Sequence, residues 1–431
     1  MTTVRRTAAA LAATAVLLAG GAGAVAPTAY AAPSPGPTPV VPSGLYGKKA
    51  PTYDGVWRQS LAFMAQQTSG VEPADKAVDW LLGQQCDNGG FASYRPDPAV
   101  PCGPATVLDT NATAVAVQAL AGLGKPEAGD TGTDPVTKAV EAGVTWLKGV
   151  QNKDGGWSFN PGGATDANST STVISALAAV GEKPGDVTSS AGRTPYDALL
   201  TFAIPCDAED GPGAFAYQRD KTGKLVANGD ATAAAVLAGL GKHLQTRGAE
   251  PEQPPTCETP AKPTAERAAR NGAAHLVTAL ARTGHLDLPP MPGTGSTAPQ
   301  PDFGNTADAV IALGAAGHGD KAAGAMAWLR KNAVPWAEQI GPAAWAQLVL
   351  AAHTVGADAR DFGGVDLVQR LNATGPAPEP RGQARPTEQP EGEQGVGGVA
   401  GFDGWLIVGI CLVAGIGIGF LLSGRNKKRG L

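Results

Sequence analysis

Hydrophobic positions along the chain fall into alternating helical segments of two kinds. Segments such as KAVDWLLGQQ, KAVEAGVTWLKGVQ and KAAGAMAWLRKN, which begin at Lys76, Lys138 and Lys321, are apolar on one face and carry a Trp-Leu pair towards their end. Segments such as LDTNATAVAVQALAGLG and TDANSTSTVISALAAVG are small and apolar on nearly every side. The first pattern is typical of a helix at a domain surface and the second of a buried helix. The pattern therefore predicts an all-α domain.

Twelve helices are predicted, and they suit two concentric layers. The buried helices open with Asp, Asn or Gly as an N-cap, and most of them end at a glycine. Six pairs of an outer and an inner helix can close a ring, an (α/α)6 toroid in which the first helix pairs with the last. The predicted helices cover residues 53–67, 74–85, 109–122, 134–150, 166–180, 194–203, 229–240, 264–283, 304–316, 319–331, 341–355 and 363–371.

The two ends of the chain carry export and membrane signals. Residues 1–31 have a cationic start, an apolar stretch and the small-residue pattern Ala29-Tyr30-Ala31, which predicts a signal peptide. Residues 405–422 are uncharged and long enough to span a bilayer as a helix, and a basic tail follows at 423–431. The positive-inside rule places that tail in the cytoplasm. The expectation is a single-pass protein of the cell membrane with its N-terminal domain outside.

Two segments of low complexity bracket the predicted toroid. Residues 32–51 form a Pro-rich leader, and residues 373–404 form a linker rich in Pro, Gly, Glu and Gln that is expected to be disordered. The toroid is accordingly expected over residues 52–372. Net charge is −5. Leaving out the six cations of the signal peptide (1–31) and the basic tail (423–431) makes the net charge of the exported part −11. That balance argues against a nucleic-acid partner.

Four cysteines lie in the exported part. In an oxidising compartment they are expected to pair, and three connectivities are open. Cys86 with Cys102 and Cys206 with Cys257 is the favoured scheme, because each bridge then closes a local loop. A zinc site of four thiolates is the alternative, but the spacings contain no C-x-x-C. No metal site is predicted.

A repeated motif joins the outer helices to the inner ones. In QCDNGGF and QNKDGGW a glutamine precedes Gly-Gly-aromatic by the same distance, and weaker copies end at Phe215 and lie around Phe303. The strong copies resemble the QW repeats of the squalene cyclase and prenyltransferase superfamily, whose fold is an α/α toroid. The resemblance implies a structural role, knitting adjacent helix ends, for Gln85, Gly89, Gly90, Phe91, Gln151, Gly155, Gly156 and Trp157.

The superfamily contains both enzymes and binding proteins, so the fold leaves the function open. Cyclases that protonate their substrate need a carboxylate cluster, D-x-D-D, which does not occur here; Asp207, Glu209 and Asp210 come nearest but are expected in a solvated loop. The zinc ligands of prenyltransferases and the G-C-G-E-Q run of thioester domains also find no counterpart. No catalytic residue and no cofactor are therefore predicted.

One rim of the predicted ring is a candidate ligand site. Aromatic residues follow the glycine turns, and short polar residues open the inner helices, so several helix N-termini point at one opening. The residues are also explained by structural roles alone, since Asp and Asn are ordinary N-caps. The candidate ligand-binding residues are Tyr94, Asp109, Asn111, Phe159, Asp166, Asn168, Tyr217 and Asp230.

These features favour a cell-surface binding protein without catalytic activity. They resemble the transcobalamin-type carriers more than the enzymes, which makes a corrinoid such as cobalamin the leading ligand. Those carriers add a β-domain that has no counterpart after Leu371, so a partner such as a membrane transporter would have to complete the site. Two alternatives stay open: a cyclase-like or prenyltransferase-like enzyme on isoprenoid substrates, and a cell-envelope scaffold that binds protein or glycan.

Overall fold

The structure is a computed structural model that describes residues 41–123, 134–250, 255–259, 261–288 and 299–379. All of these residues belong to one unit, Val40–Leu431. The described residues form twelve α-helices: α1 Gly55–Thr68, α2 Asp75–Gly83, α3 Thr110–Ala121, α4 Pro135–Gly149, α5 Ala167–Ala179, α6 Pro195–Leu200, α7 Gly229–Gly239, α8 Ala265–Leu280, α9 Phe303–Ala315, α10 Ala323–Ile340, α11 Pro342–Thr354 and α12 Leu367–Asn372.

Six helices form a closed inner ring. Each of α1, α3, α5, α7 and α9 packs against the next odd-numbered helix, and α11 returns to α1. The even-numbered helices lie outside: α4 packs on α3, α8 on α7, α10 on α9 and α11, and α12 on α11. The order of neighbours agrees with the α/α ring predicted from the sequence.

The inner helices are rich in alanine because the ring brings them close to their neighbours. A Cβ added at Gly239 of α7 would lie 2.7 Å from the carbonyl oxygen of Ala265 and 2.9 Å from the Cβ of Ala269, both on α8. Nearly every residue of α3, from Thr110 to Leu120, is buried. Small side chains are therefore what allows six helices to share one ring at interior packing density.

Two short β-hairpins and one 3-10 helix were not predicted. Strands β1 (Ala216–Arg219) and β2 (Leu225–Ala227) are antiparallel, as are β3 (Leu286–Leu288) and β4 (Gln300–Asp302). The 3-10 helix covers Pro184–Asp186. Each hairpin leads directly into an inner helix, α7 or α9, so these strands position the first residues of the ring.

Helix α10 is longer than the predicted segment 319–331. It runs to Ile340 through Pro335, a residue that removes one helical hydrogen bond and lies beyond the predicted helix end. Trp336 stacks on Phe303 of α9 with ring centroids 5.6 Å apart, and Phe303 also contacts Trp328 at 4.8 Å. This aromatic packing holds both halves of α10 against α9.

The folded unit extends beyond both predicted boundaries. Leu45 and Tyr46, which the sequence placed in the leader, are buried in the core. The hydroxyl of Tyr46 donates to the carbonyl of Pro376 at 3.1 Å, and a Cβ on Gly375 would lie 2.4 Å from the Tyr46 ring. Composition alone did not reveal this, because the contact between Tyr46 and residues 375–376 joins segments that are far apart in the sequence.

The predicted cysteine pairing is confirmed. Cys86 and Cys102 are bonded with their Cα atoms 5.6 Å apart, and Cys206 and Cys257 are bonded at 5.5 Å. The predicted signal peptide, transmembrane segment and basic tail lie outside the described residues. Within the part of the chain that the structure describes, the helices are all too short or too polar to cross a membrane.

A loop after α7 crosses the end of the ring where the inner helices terminate. The amide of Gln245 donates to Gln67 Oε1 of α1 at 2.5 Å, and the backbone N–H of Leu244 donates to Gln118 Oε1 of α3 at 3.4 Å. The N–H of Ala249 donates to Gly314 of α9 at 3.0 Å. We call residues 241–249 the plug. Because the plug reaches across the ring, the opposite end, where the inner helices begin, is the mouth.

Candidate functional site

The repeat motif builds the turns around the mouth. The side-chain amide of Gln85 donates to the carbonyls of Gly89 at 2.9 Å and Ala139 at 2.8 Å, and that of Gln151 donates to Gly155 at 2.7 Å. Each glutamine thus closes its own glycine turn, and Gln85 also ties it to the next outer helix. The resemblance implied this structural role.

The glycines of the motif sit where a side chain does not fit. Gly89 and Gly155 have φ of 92° and 94°, in the left-handed region. A Cβ on Gly89 would lie 2.2 Å from the carbonyl oxygen of Ala142, and one on Gly155 the same distance from that of Thr194. The adjacent Gly90 and Gly156 are equally crowded, by Trp146 and by Thr165 and Thr170. The turns therefore require glycine for both conformation and contact.

The motif aromatics fasten each turn to the following inner helix. Phe91, Trp157 and Phe215 are buried, and their backbone N–H groups donate to the hydroxyls of Thr113, Thr170 and Thr232 at 2.9 to 3.0 Å. In the fourth copy the corresponding donor is Leu286, bonded to Thr306 at 3.0 Å. The prediction of Phe303 as the fourth motif aromatic is therefore wrong, because Phe303 begins α9 instead.

Acidic and amide N-caps ring the mouth. Asp109, Asp166, Asn228 and Asp302 cap α3, α5, α7 and α9, each accepting a backbone N–H three residues on. The interpretation of Asp230 as an N-cap is corrected, since Asn228 holds that position and Asp230 lies inside the first turn. The side chain of Asp230 is therefore available for another role.

Four of the six inner helices, α5, α7, α9 and α11, expose a regular set of positions to the inside of the ring. In these helices, which are otherwise mostly buried, the residues two and six positions after the N-cap are half-buried. Positions four residues apart share one helix face, so these residues line an accessible space that we call the ring cavity. The set comprises Asn168 and Thr172 on α5, Asp230 and Ala234 on α7, Gly304 and Asp308 on α9, and Ala343 and Gln347 on α11.

Two carboxyls in the ring cavity are each bonded to an amide from a neighbouring helix. Asn168 Nδ2 donates to Asp230 Oδ2 at 2.5 Å, and Gln347 Nε2 donates to the two oxygens of Asp308 at 3.0 and 3.1 Å. We call Asp230 and Asp308 the acid pair. Burial, followed by the charge of Asp308, raises the pKa of Asp230 to about 8. Burial raises the pKa of Asp308 to about 7, with a further contribution from the charge of Asp302.

Asp166 and Tyr217 extend the acidic site towards α5. Burial raises the pKa of Asp166 to about 6, against the opposing effect of the Ser169 N–H that donates at 2.7 Å. Tyr217, on β1, is hydrogen-bonded to Asp166 and lies near Asp230. Burial and these two charges raise the pKa of the Tyr217 phenol, so it stays protonated and acts as a donor. Asp166, Asn168, Tyr217 and Asp230 of the predicted site are thus brought together.

The other predicted residues lie around the α1 and α3 side of the mouth. Asp109 is buried, accepts from Ser93 Oγ at 2.8 Å, and has its pKa raised by burial. Tyr94 lies against the start of α1, where a Cβ on Gly55 would be 3.3 Å from its ring. The Phe159 carbonyl accepts from the N–H of Thr110 at 2.9 Å, which links the α5 turn to α3. Asn111 is 5% exposed and its Oδ1 has no partner within the described ranges.

Asp302, Asp308 and Gln347 were not identified from the sequence, and the view that the inner helices hold no carboxylate cluster is corrected. The four Asp residues 166, 230, 302 and 308 come from three helices, so no local motif such as D-x-D-D contains them. A signal was nevertheless present. Asp308 in TADAVIAL and Gln347 in AAWAQLVL are isolated polar residues in otherwise apolar inner helices, and such residues need a specific partner.

Two further findings concern metal ligands and a second cleft among the described residues. They contain no group of three or more His, Cys, Asp or Glu side chains arranged to hold a metal ion. A cleft of about 550 Å³ lies near the plug, lined by Tyr196, Lys242 and Arg270 among others. Its lining contains none of the acidic residues of the ring cavity, so it is a separate feature.

A family comparison matches the first half of the ring. Residues 57–188 match the model of the squalene-hopene cyclase C-terminal domain. This stretch runs from α1 to beyond α5 and contains both strong copies of the glutamine and glycine motif. No curated protein matches the sequence.

Several solved structures share a general likeness with the chain. They include ent-copalyl diphosphate synthase from Streptomyces platensis, 17% identical, with 70% of this chain aligned to 50% of the synthase and a TM-score of 0.44. A protein from Actinoplanes is 16% identical, with 73% of this chain aligned to 94% of that protein and a TM-score of 0.44. A sugar epimerase from a ruminal bacterium is 13% identical, with 73% of this chain aligned to 93% of the epimerase and a TM-score of 0.44. This chain thus spans half the length of the synthase, and no functional residue is transferred from these structures.

Proposed function

We propose that this chain, whose repeats and partial family match resemble the squalene cyclase and prenyltransferase repeat superfamily, is a binding protein that holds a polar organic ligand in the ring cavity without turnover. The observation that carries the proposal is the set of half-buried polar side chains inside an otherwise apolar ring: Asn168, Asp230, Asp308 and Gln347. Concave sites with a few converging polar groups are the usual form of small-molecule sites.

The location proposed for this function is the cell surface. A signal peptide at 1–31 and a membrane span at 405–422 would leave the toroid outside the cell. A ligand captured there would have to be passed to a membrane transporter. A corrinoid such as cobalamin is the first ligand to test, because its peripheral carboxamides complement a cavity lined by carboxyl and amide groups.

Acid catalysis is the second candidate function, and the acid pair is the observation that favours it. A carboxyl whose pKa is raised to about 8 keeps its proton at neutral pH and is able to donate it. In cyclases that protonate their substrate, cyclisation of an isoprenoid begins with such a proton transfer. The candidate substrates are therefore apolar chains without a metal-bound diphosphate.

Tyr217→Phe is expected to weaken ligand binding about fivefold to tenfold, because it removes one hydroxyl donor at the edge of the cavity. The full-length protein in detergent is titrated with cobalamin by calorimetry and is incubated separately with squalene and a prenyl diphosphate, with products followed by mass spectrometry. Tyr196→Phe is the matched control, since this half-buried tyrosine lines the cleft near the plug.

The outcomes separate the two functions. Saturable binding that Tyr217→Phe weakens and Tyr196→Phe leaves within twofold supports the binding protein. A cyclised product formed from squalene would show instead that the protein is an enzyme. Equal losses in both variants would show that the ligand does not occupy the mouth.

A further inference from the structure

The hydrogen-bonding groups of the ring cavity are unbalanced. Asp230 and Asp308 offer four carboxyl oxygens and receive donors from Asn168 and Gln347. The Oδ1 atom of Asn168 has no hydrogen-bond partner among the described residues. Acceptors therefore outnumber donors at this site.

Asn111 adds a buried acceptor. Its side chain is 5% exposed, and its Oδ1 has no partner in the ranges that the structure describes. Asn111 lies two residues after the N-cap of α3, the position that Asn168 and Asp230 occupy on α5 and α7. A buried carbonyl oxygen without a donor costs about 1 to 3 kcal/mol, which a ligand donor at this position would recover.

Among the residues that the structure describes, basic side chains do not neutralise the acid pair. The charges that act on Asp230 are those of Asp308, Asp302 and Asp166, and the charge that acts on Asp308 is that of Asp302. The buried Arg58 of α1 is bonded to Asp54 at 3.2 Å and to the Lys49 carbonyl at 2.9 Å. A bound cation would therefore favour the ionised form of the acid pair, whereas a bound anion would oppose it.

We propose that the ring cavity recognises nitrogen-bound hydrogens of its ligand, with a donor group placed between Asp230 and Asp308 and a second one at the free oxygens of Asn111 and Asn168. This inference rests on the proposed binding function and specifies its ligand class. Two sources supply the same chemistry: the ammonium groups of an organic polyamine and the carboxamides of a corrinoid. Diphosphates and other anions are excluded.

The test is calorimetric titration of the full-length protein with spermidine, cyanocobalamin and farnesyl diphosphate at about pH 8.5, where both carboxyls of the acid pair are largely ionised. One of the two nitrogen donors is expected to bind saturably, and farnesyl diphosphate is expected not to bind. Asp230→Asn should lower the affinity of that donor by about tenfold to a hundredfold, the contribution of a charged hydrogen bond. Asp186→Asn is the control, because it removes the same charge from an exposed carboxyl in the 3-10 helix.

A second variant keeps the test possible in case the first does not fold. If Asp230→Asn does not fold, Asp308→Asn is tested, since an asparagine there still accepts a hydrogen bond from Gln347. Nitrogen-donor binding that neither variant alters would overturn the donor preference while leaving a binding protein. Tighter binding of farnesyl diphosphate, or no saturable binding of either nitrogen donor, would overturn the inference as well. A cyclised isoprenoid product would instead reject the proposed function itself.

Discussion

Replacing Trp157 by alanine is expected to lower the free energy of unfolding by about 3 to 5 kcal/mol. Trp157 is fully buried in a cluster with Leu147 and Leu177, and its indole N–H donates to the carbonyl of Leu147 at 2.7 Å. The substitution removes the largest fully buried side chain and leaves that carbonyl without this donor. Urea unfolding followed by circular dichroism measures the loss.

Tyr53→Ala is the control for this variant. Tyr53 is 89% exposed, so its removal is expected to change stability by less than about 0.5 kcal/mol. A loss for Trp157→Ala no larger than that of the control would show that the second repeat does not hold α4 against α5. Because domains are stable by only about 5 to 15 kcal/mol, the expected loss is a large share of the total.

Raising the pH from 6.5 to 8 is expected to destabilise the domain by on the order of 2 kcal/mol. Asp230 and Asp308 have folded pKa values of about 8 and about 7, raised by burial and by neighbouring charges. In the unfolded chain both carboxyls titrate near 4, so in this range the folded state binds more protons. Stability therefore falls as the pH rises.

Three histidines oppose this trend at the lower end of the range. Burial lowers the pKa of His243, His275 and His353 below the ordinary value of 6.5, which gives the opposite slope at lower pH. The variant Asp230→Asn/Asp308→Asn should lose most of the dependence on pH above 6.5. A dependence of stability on pH from 6.5 to 8 that is the same in the wild type and in this variant would contradict the placement of the acid pair.

The ring was predictable because its signals are local and repeated. The spacing of Gln85 from Phe91 and of Gln151 from Trp157, with a small apolar helix after each, specifies both layers. Local chemistry also explains the cysteine pairing, since each bridge closes a short loop. Such features are readable because one repeat contains all of the residues involved.

The site was only partly predictable because its members come from different helices. Asp230 and Asp308 are 78 residues apart in the chain, and the packing of α7 against α9 brings them near each other. The turn residues Asp109 and Asp166 were identified because N-caps have a local pattern. Tyr46 could not be predicted as buried for the same reason. Its hydroxyl is bonded to a residue 330 positions away, a contact that composition does not reveal.

NMR titration of the acid pair is the most direct test of the ring cavity, because carboxyls in this partly buried site keep their protons to a higher pH than solvated carboxyls do. Carboxyl resonances of ¹³C-labelled aspartate are followed by NMR from pH 5 to 9 in the wild type and in Asp230→Asn. We expect one carboxyl to titrate near pH 8 in the wild type and to be absent from the variant. Complete ionisation of every aspartate below pH 6 would contradict a buried acid pair and the site built around it.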